Sequence, residues 1–355
     1  MNTLKKLKPR GTLILEIDGV KVIDENLARL LLLIRRKESI LSAAKALNIP
    51  YSRAWEAIAK AERILNIKLI EPKRGGRGGG GAKLTSRGEE ILNRYLEEYR
   101  RLFNKRFSIE EVEAEAPEIV YAGSNDPLLE HIMGFMRDQG VESIEIAWIG
   151  STGGLTLLML KEADLAGIHL YDPETGEYNL PYLSKYWLET KAILVRGYER
   201  EIGFAFRKHF DDPLNALVTG EAKIVNRNLG SGTRVRLDYL LKRKAEEMGK
   251  TFRELVKSIK GYENEVKTHL EVVREIIAGK ADLGLTIRWA AEKYGLKFKS
   301  LGWEKFDFAI SLDSYKRPQL RKFLKILSSK DVRNLAEELR GYRVGEDCGK
   351  VIYEP

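Results

Sequence analysis

Three short stretches of this 355-residue chain carry residue types suited to holding an anion. They are Gly123-Ser124-Asn125-Asp126, Gly150-Ser151-Thr152-Gly153-Gly154 and Arg227-Asn228-Leu229-Gly230-Ser231-Gly232-Thr233-Arg234. Each sets small residues beside hydroxyls just ahead of a helix-forming segment. A helix start offers free N–H groups and the positive end of the dipole, and Ser or Thr adds further donors. One such loop is explained by helix capping alone. Three of them, with Thr268 opening a fourth helix, point to a binding site that presents Ser124, Asn125, Ser151, Thr152, Ser231, Thr233, Tyr262 and Thr268. Arg227 and Arg234 would neutralise the bound charge, although either is equally suited to a surface ion pair. An enzyme built on Ser231, His269 and Asp282 is the rival, but no Gly-x-Ser-x-Gly elbow occurs and binding accounts for the hydroxyls. No catalytic residue is assigned. One cysteine, Cys348, and four scattered histidines (His131, His169, His209, His269) leave no disulfide, zinc spacing or covalent cofactor to expect.

The elements that must position these loops alternate between strand-like and helix-like patterns: 119–122, 128–137, 144–149, 155–161, 164–169, then 192–195, 223–226, 235–246, 272–278, 282–286 and 308–311. That order predicts an α/β domain with largely parallel pairing. It contains an echo. A helix opened by Ser151-Thr152 ends in Ala163-Asp164-Leu165-Ala166-Gly167, and one opened by Thr268 ends in Ala281-Asp282-Leu283-Gly284. Two lobes of like construction imply a cleft between them.

Charge separates a second region from this one. Residues 1–106 hold 24 Lys and Arg against 12 Asp and Glu, whereas the remainder is slightly acidic within an overall net charge of +9. Such segregation predicts a polyanion-binding N-terminal module. Around Asp18-Gly19 the pattern is strand–turn–strand. An apolar helix over 25–37 follows, then two short helices over 40–47 and 52–65 broken by Asn48-Ile49-Pro50, as a helix-turn-helix requires. The second places Trp55, Ile58 and Leu65 inward and Tyr51, Ser52, Arg53, Glu56 and Lys60 outward, where they suit base edges and phosphates. Two short strands then bracket a glycine-rich tip with Lys73, Arg74, Arg77 and Lys83, read as a wing. A P-loop is excluded because Ala82 separates Gly81 from Lys83. A helix over 86–106 carries Ile91, Tyr95, Tyr99 and Leu102 as a stripe for pairing with its twin in a homodimer or higher even oligomer. The expected organisation is 1–84, a DNA-binding domain; 85–106, a linker and dimerisation helix; 107–117, an acidic hinge; and 118–355, a ligand-binding domain. No apolar run approaches the ~20 residues of a membrane helix, so a cytoplasmic protein without membrane partners is expected.

Residues 25–106 resemble the ModE family of molybdate-responsive repressors, and more loosely LysR-type regulators, through Ser39-Ile40-Leu41-Ser42-Ala43-Ala44-Lys45, Tyr51-Ser52-Arg53-Ala54-Trp55-Glu56-Ala57-Ile58 and Gly75-Gly76-Arg77-Gly78-Gly79-Gly80-Gly81-Ala82-Lys83-Leu84-Thr85. Residues 118–355 resemble a periplasmic-binding-protein-like domain related to molybdate-binding proteins. The carrying segments are Gly123-Ser124-Asn125-Asp126-Pro127, Ala163 to Leu170, Glu177-Tyr178-Asn179, Asn226 to Arg234, and Gly261-Tyr262 leading to Thr268-His269. The resemblance implies an α+β winged helix-turn-helix domain followed by a two-lobed α/β periplasmic-binding-protein-like (type II) domain. By position, Ser124 and Ser151 match the hydroxyls that hold the oxyanion in that family. It also implies a dimeric regulator on a palindromic double-stranded operator. ModE senses molybdate with small β-barrels, which this chain lacks, so two ligands stay open: molybdate or tungstate, and a molybdopterin-type cofactor precursor. A ligand-independent architectural DNA binder is the third reading.

Overall fold

The computed structural model describes residues 11–72, 81–109, 111 and 116–355, and the chain divides into two compact units, Met1–Ala116 and Pro117–Pro355.

In the first unit, β1 (Leu15–Ile17) and β2 (Val20–Ile23) form a hairpin turned at Asp18-Gly19, both at positive φ. Asp24 caps α1 (Glu25–Lys37) by accepting from Leu27 N, and this helix buries Leu27, Leu30, Leu31 and Ile34 at helical spacing. Ser39 caps α2 (Ile40–Ala46), whose Ala43 and Ala44 are buried and small enough for α3 (Tyr51–Leu65) to cross closely. Strands β3 (Ile70–Pro72) and β4 (Ala82–Leu84) pair antiparallel as the base of the wing. Its expected cations Lys73, Arg74 and Arg77 lie outside the described residues. Thr85 caps α4 (Ser86–Phe103) by accepting from Gly88 N.

Two helix faces differ from the sequence reading. In α3 the buried set is Tyr51, Ala54, Ile58 and Ala61, so Tyr51 points inward rather than toward a nucleic acid. An aromatic ring at the first helical position gains more from the core than from solvent. In α4, Tyr95 is fully buried and its hydroxyl donates to Leu13 O at 3.1 Å. Tyr99 packs on Phe103 and Phe107, with ring centroids at 4.7 and 4.9 Å. The aromatic part of the expected dimer stripe is therefore spent inside its own unit. Leu102 remains 57% exposed and Ile91 is half-buried. Beyond α4, Glu111 pairs with Lys37 at 2.9 Å.

The second unit contains, in chain order, β5 (Ile119–Gly123), α5 (Pro127–Asp138), β6 (Ile144–Trp148), α6 (Gly150–Met159), β7 (Leu165–Ile168), α7 (Leu180–Lys185), β8 (Ala192–Phe206), α8 (Pro213–Val218), β9 (Ile224–Arg227), α9 (Gly232–Glu247), α10 (Phe252–Ser258), β10 (Glu265–Val266), α11 (His269–Ile277), β11 (Leu283–Ile287), α12 (Arg288–Lys293), β12 (Lys297–Ser311), α13 (Leu312–Tyr315), α14 (Pro318–Leu327), α15 (Lys330–Glu338), β13 (Tyr342–Arg343) and β14 (Val351–Tyr353). One sheet runs β10-β9-β11-β8-β12-β7-β5-β6, with β13 and β14 also on β8. Parallel trios lie on both sides, but the centre is not parallel. β8 and β12 are single 15-residue strands paired antiparallel along their length. The sequence reading had seen only one end of each. β7 joins the ladder at Asp307–Ile310 and β11 joins it at Ile202–Phe206, so one lobe hangs from each end and both long strands cross between them.

The sequence echo has a structural meaning. Asp164 N donates to Val120 O and its carboxylate accepts from Val120 N; Asp282 does the same with Lys223 O and N. Each aspartate locks the register between the first strand of its lobe and the strand that follows the helix.

Charges are buried along the crossing ladder. Arg200, fully buried, donates to Glu304 Oε1 and to Asp126 Oδ2, both at 2.7 Å. Asp126 also accepts from Tyr198 OH, Tyr342 OH, Leu128 N and Leu129 N. Removing one member of such a set strands the others without water. Asp126→Ala should therefore cost ~3–5 kcal/mol of unfolding free energy, read from urea titration of the full chain. A loss below ~1 kcal/mol, the scale of an exposed pair, would show that the network is not a stability determinant.

Candidate functional site

The parallel strands of both lobes end at the cleft, the place where open α/β sheets bind ligands. Ser124 follows β5, Ser151 follows β6, His169 follows β7 and Arg227 closes β9, while Arg200 and Glu304 enter from the crossing strands. All six side chains are buried.

On the first lobe the hydroxyls and the ring form a connected chain. Ser124 Oγ lies 2.9 Å from Ser151 Oγ and 3.0 Å from His169 Nε2, and Ser151 Oγ accepts from His169 N at 3.1 Å. His169 Nδ1 lies 3.1 Å from Glu304 Oε2. Burial pushes the Glu304 carboxyl up, but the His169 and Arg200 partners outweigh it and hold it at about 2. Burial pushes His169 down, against the pull of Glu304. The ring is thus neutral, with its hydrogen on Nδ1 facing the carboxylate.

The second lobe contributes donors that the protein leaves unused. Arg227 gives one N–H to Lys267 O at 2.7 Å, but its Nε and the other terminal nitrogen find no partner. Burial, with the Arg200 charge adding, lowers it to about 9. Thr233 Oγ1, His269 Nε2 and one terminal nitrogen of Arg200 are likewise buried and unpartnered. Burial depresses His269 strongly, and the charges of Arg227 and Arg200 add to it. Buried donors without partners are costly, and here they cluster where the strands end.

The lobes touch around this cluster. Thr152 donates from its backbone N and its hydroxyl to Gly230 O, both at 3.1 Å. Gly232 packs so closely on His169 that a Cβ there would lie 2.3 Å from its carbonyl oxygen. The Arg236 guanidinium stacks over Tyr171 at 4.3 Å.

Six residues expected at the site are used otherwise. Asn125 bonds Glu130 at 2.6 Å on the exposed side. Thr152 serves the lobe contact just described. Ser231 and Thr268 cap α9 and α11 by accepting from Arg234 N and Glu271 N. Arg234 is neutralised by Asp238 and Glu265 and lies over the Tyr262 ring, whose hydroxyl donates to Asp238. The structure brings together Ser124, Ser151, Arg227 and Thr233 from the expected set, and adds His169, Arg200, His269 and Glu304. His169 and His269 lie inside segments already read from the sequence, Ala163 to Leu170 and Thr268-His269, but only sheet topology assembles them with Arg200 and Glu304, which no local pattern marks. In the first unit, Arg53 and Lys60 are exposed, Ser52 and Glu56 are half-buried, and Lys83 pairs with Glu71 at 3.1 Å.

Residues 134–328 match the family model of the PBP superfamily domain, and residues 26–89 match that of the bacterial regulatory helix-turn-helix protein, lysR family. "Uncharacterized protein YvgK" of Bacillus subtilis (strain 168) is 29% identical over 247 residues, covering 67% of this chain and 74% of that protein. The "Molybdenum transport protein ModE" of Azotobacter vinelandii is 36% identical over 81 residues, 23% of this chain and 30% of that protein. The "DNA-binding transcriptional dual regulator ModE" of Escherichia coli (strain K12) is 40% identical over 57 residues, 16% of this chain and 22% of that protein. The chain spans under a third of these ModE relatives, over its N-terminal region. The comparisons point to a transcriptional regulator and not to an enzyme. Among the described residues no helix is long and apolar enough to cross a membrane.

Two outcomes follow from the electrostatics. Arg227→Met replaces a buried, under-bonded cation by an apolar chain of similar length and should stabilise the ligand-free protein by ~1–3 kcal/mol in urea titration; a loss of stability would show that Arg227 is satisfied. Both buried histidines are neutral in the fold and bind protons more readily once unfolded. Stability is therefore full above about pH 6.5, the ordinary histidine value, and is lost as pH falls through it. His269→Gln should flatten that acid-side decline, and an unchanged pH profile would remove His269 as its source.

Proposed function

The chain belongs to the PBP superfamily, and from that premise we propose that it is a one-component DNA-binding regulator whose interlobe cleft senses a small oxyanion, molybdate or tungstate first. The observation that carries the reading is the group of buried, unpartnered donors of Arg200, Arg227, Thr233 and His269 beside Ser124 and Ser151. A compact anion with oxygen on every side is the ligand that answers donors arriving from both lobes. The molybdenum in the name of a ModE relative supports the choice of metal oxyanion, although that likeness lies over the N-terminal region and not over the cleft. A cofactor precursor of the molybdopterin type would place only one end in this donor group.

The N-terminal unit binds double-stranded DNA through the exposed face of α3, with Arg53 and Lys60 outermost, and two copies span a palindromic operator as a homodimer. Ligand that binds the closed lobes better than the open ones shifts that population and with it the presentation of the paired heads.

Calorimetric titration with molybdate and tungstate, with sulfate and phosphate as controls, tests the cleft. Selective binding that Ser124→Ala and Arg227→Met each weaken at least tenfold supports it; retention of full affinity in both variants would move the ligand elsewhere. For the DNA unit, Arg53→Ala should relax preference at one position of each half-site by ~1–3 kcal/mol. A uniform loss across all sequences would assign Arg53 to phosphate instead.

A further inference from the structure

We propose that the cleft takes a doubly charged oxyanion, and that its binding draws one proton from solvent onto His169, releasing the Ser124 hydroxyl to donate to the ligand. The inference rests on the oxyanion reading of this cleft and adds the ligand's charge state and the residue that answers it.

Glu304 is ionised and only accepts, so His169 Nδ1 at 3.1 Å carries a hydrogen. In the neutral ring Nε2 then only accepts, and the neighbour at 3.0 Å that can donate to it is Ser124 Oγ. Ser124 has one hydrogen, and it is committed to His169. Ser151 accepts from His169 N and turns its own hydrogen to Ser124 Oγ at 2.9 Å. The two hydroxyls that look ready for an anion are therefore wired into a closed relay ending on a carboxylate. Ser124 can donate outward only if Nε2 acquires a hydrogen of its own. The imidazolium would then donate from both nitrogens, to Glu304 and to Ser124 Oγ, and each bond of the relay is kept with its direction reversed at Nε2.

Charge asks for the same proton. The fully buried cations Arg200 and Arg227 are balanced by the fully buried carboxylates Asp126 and Glu304. A dianion sealed among them leaves two uncompensated negative charges away from water, and one proton halves that excess. His169 faces Glu304, which favours the imidazolium, and the charges of Arg200 and Arg227, which oppose it. Its other neighbours are Ser124, Ser151, the stacked Phe306 ring and Gly232, none of them charged, and the buried, neutral His269. An anion bonded to the two arginines cancels their opposition and leaves Glu304 dominant. Thr286 Oγ1 lies 3.0 Å from His269 Nδ1 and 3.4 Å from His269 O, and when its hydrogen goes to Nδ1 the His269 Nε2 carries the ring's own hydrogen with no added proton.

The full chain is titrated with molybdate at one neutral pH in buffers of low and high ionisation enthalpy. The expected result is uptake of about one proton per anion, with affinity weakening as pH rises, toward about tenfold per unit. His169→Gln should bind more weakly with no uptake, whereas His269→Gln should keep it. Histidine-labelled wild-type protein provides a readout that needs no variant, since the His169 ring nitrogens should change from neutral to imidazolium signatures at saturation. Molybdate binding without proton uptake and with a neutral His169 would overturn this inference and leave the oxyanion reading standing. No binding of molybdate, tungstate, sulfate or phosphate would overturn the oxyanion reading itself, and this inference with it.

Discussion

The buried Arg200 guanidinium is the contact on which the two-lobed unit turns. It sits on the long β8 strand and holds Glu304 across the ladder and Asp126 at the start of α5. Through Asp126 it fixes the first helix of one lobe and the hydroxyls of Tyr198 and Tyr342. Through Glu304 it reaches His169 and then the serine hydroxyls of the cleft. A charge this deeply buried is tolerable only with such partners, so the scaffold and the site share one set of bonds. Rotation of one lobe against the other has to pivot around these bonds, because both crossing strands carry them.

The cleft itself is organised against stability. Arg227 is buried with two unpartnered nitrogens, Thr233 and His269 have polar atoms with nothing to bond, and two histidines are kept neutral by burial. None of this helps the fold. Donors fixed in place before the ligand arrives need no reorganisation when it does, and their desolvation has already been met by folding. Folding free energy is thus held back in a form that the proposed anion would recover.

The N-terminal unit shows a different trade. Its rings at Tyr51, Tyr95, Tyr99 and Phe107 are drawn into a small core, because a domain of this size has little else to bury. The exposed residues of α3 are Arg53, Lys60 and Arg63, and they lie on the face proposed for groove reading. What stays on the outer side of α4 is Leu102 and part of Ile91, a narrower apolar surface than the sequence stripe suggests.

The sequence by itself determined the two-part organisation, because charge segregation and a change from helical to alternating periodicity are local properties. It also determined the helix-turn-helix, the turn at Asp18-Gly19, and Ser124 and Ser151 as hydroxyls at strand ends. The lobes' internal likeness was legible in Asp164 and Asp282, since each lobe needs the same register lock. Tertiary structure alone decided the rest. Alternation patterns do not reveal that 192–206 and 297–311 are single strands running through both lobes, because pairing partners lie about a hundred residues away in the chain. Helical periodicity placed Tyr51 and Tyr95 one face off, since long-range packing sets which side of an amphipathic helix is buried. Arg200 and Glu304 have no local signature, His169 and His269 show only as members of a strand end and a helix start, and the four become one site only where separate strands end together. The same assembly returned Asn125, Ser231, Arg234, Tyr262 and Thr268 to capping and ion-pair duties, because a hydroxyl or a charge answers to whichever partner the fold brings within reach.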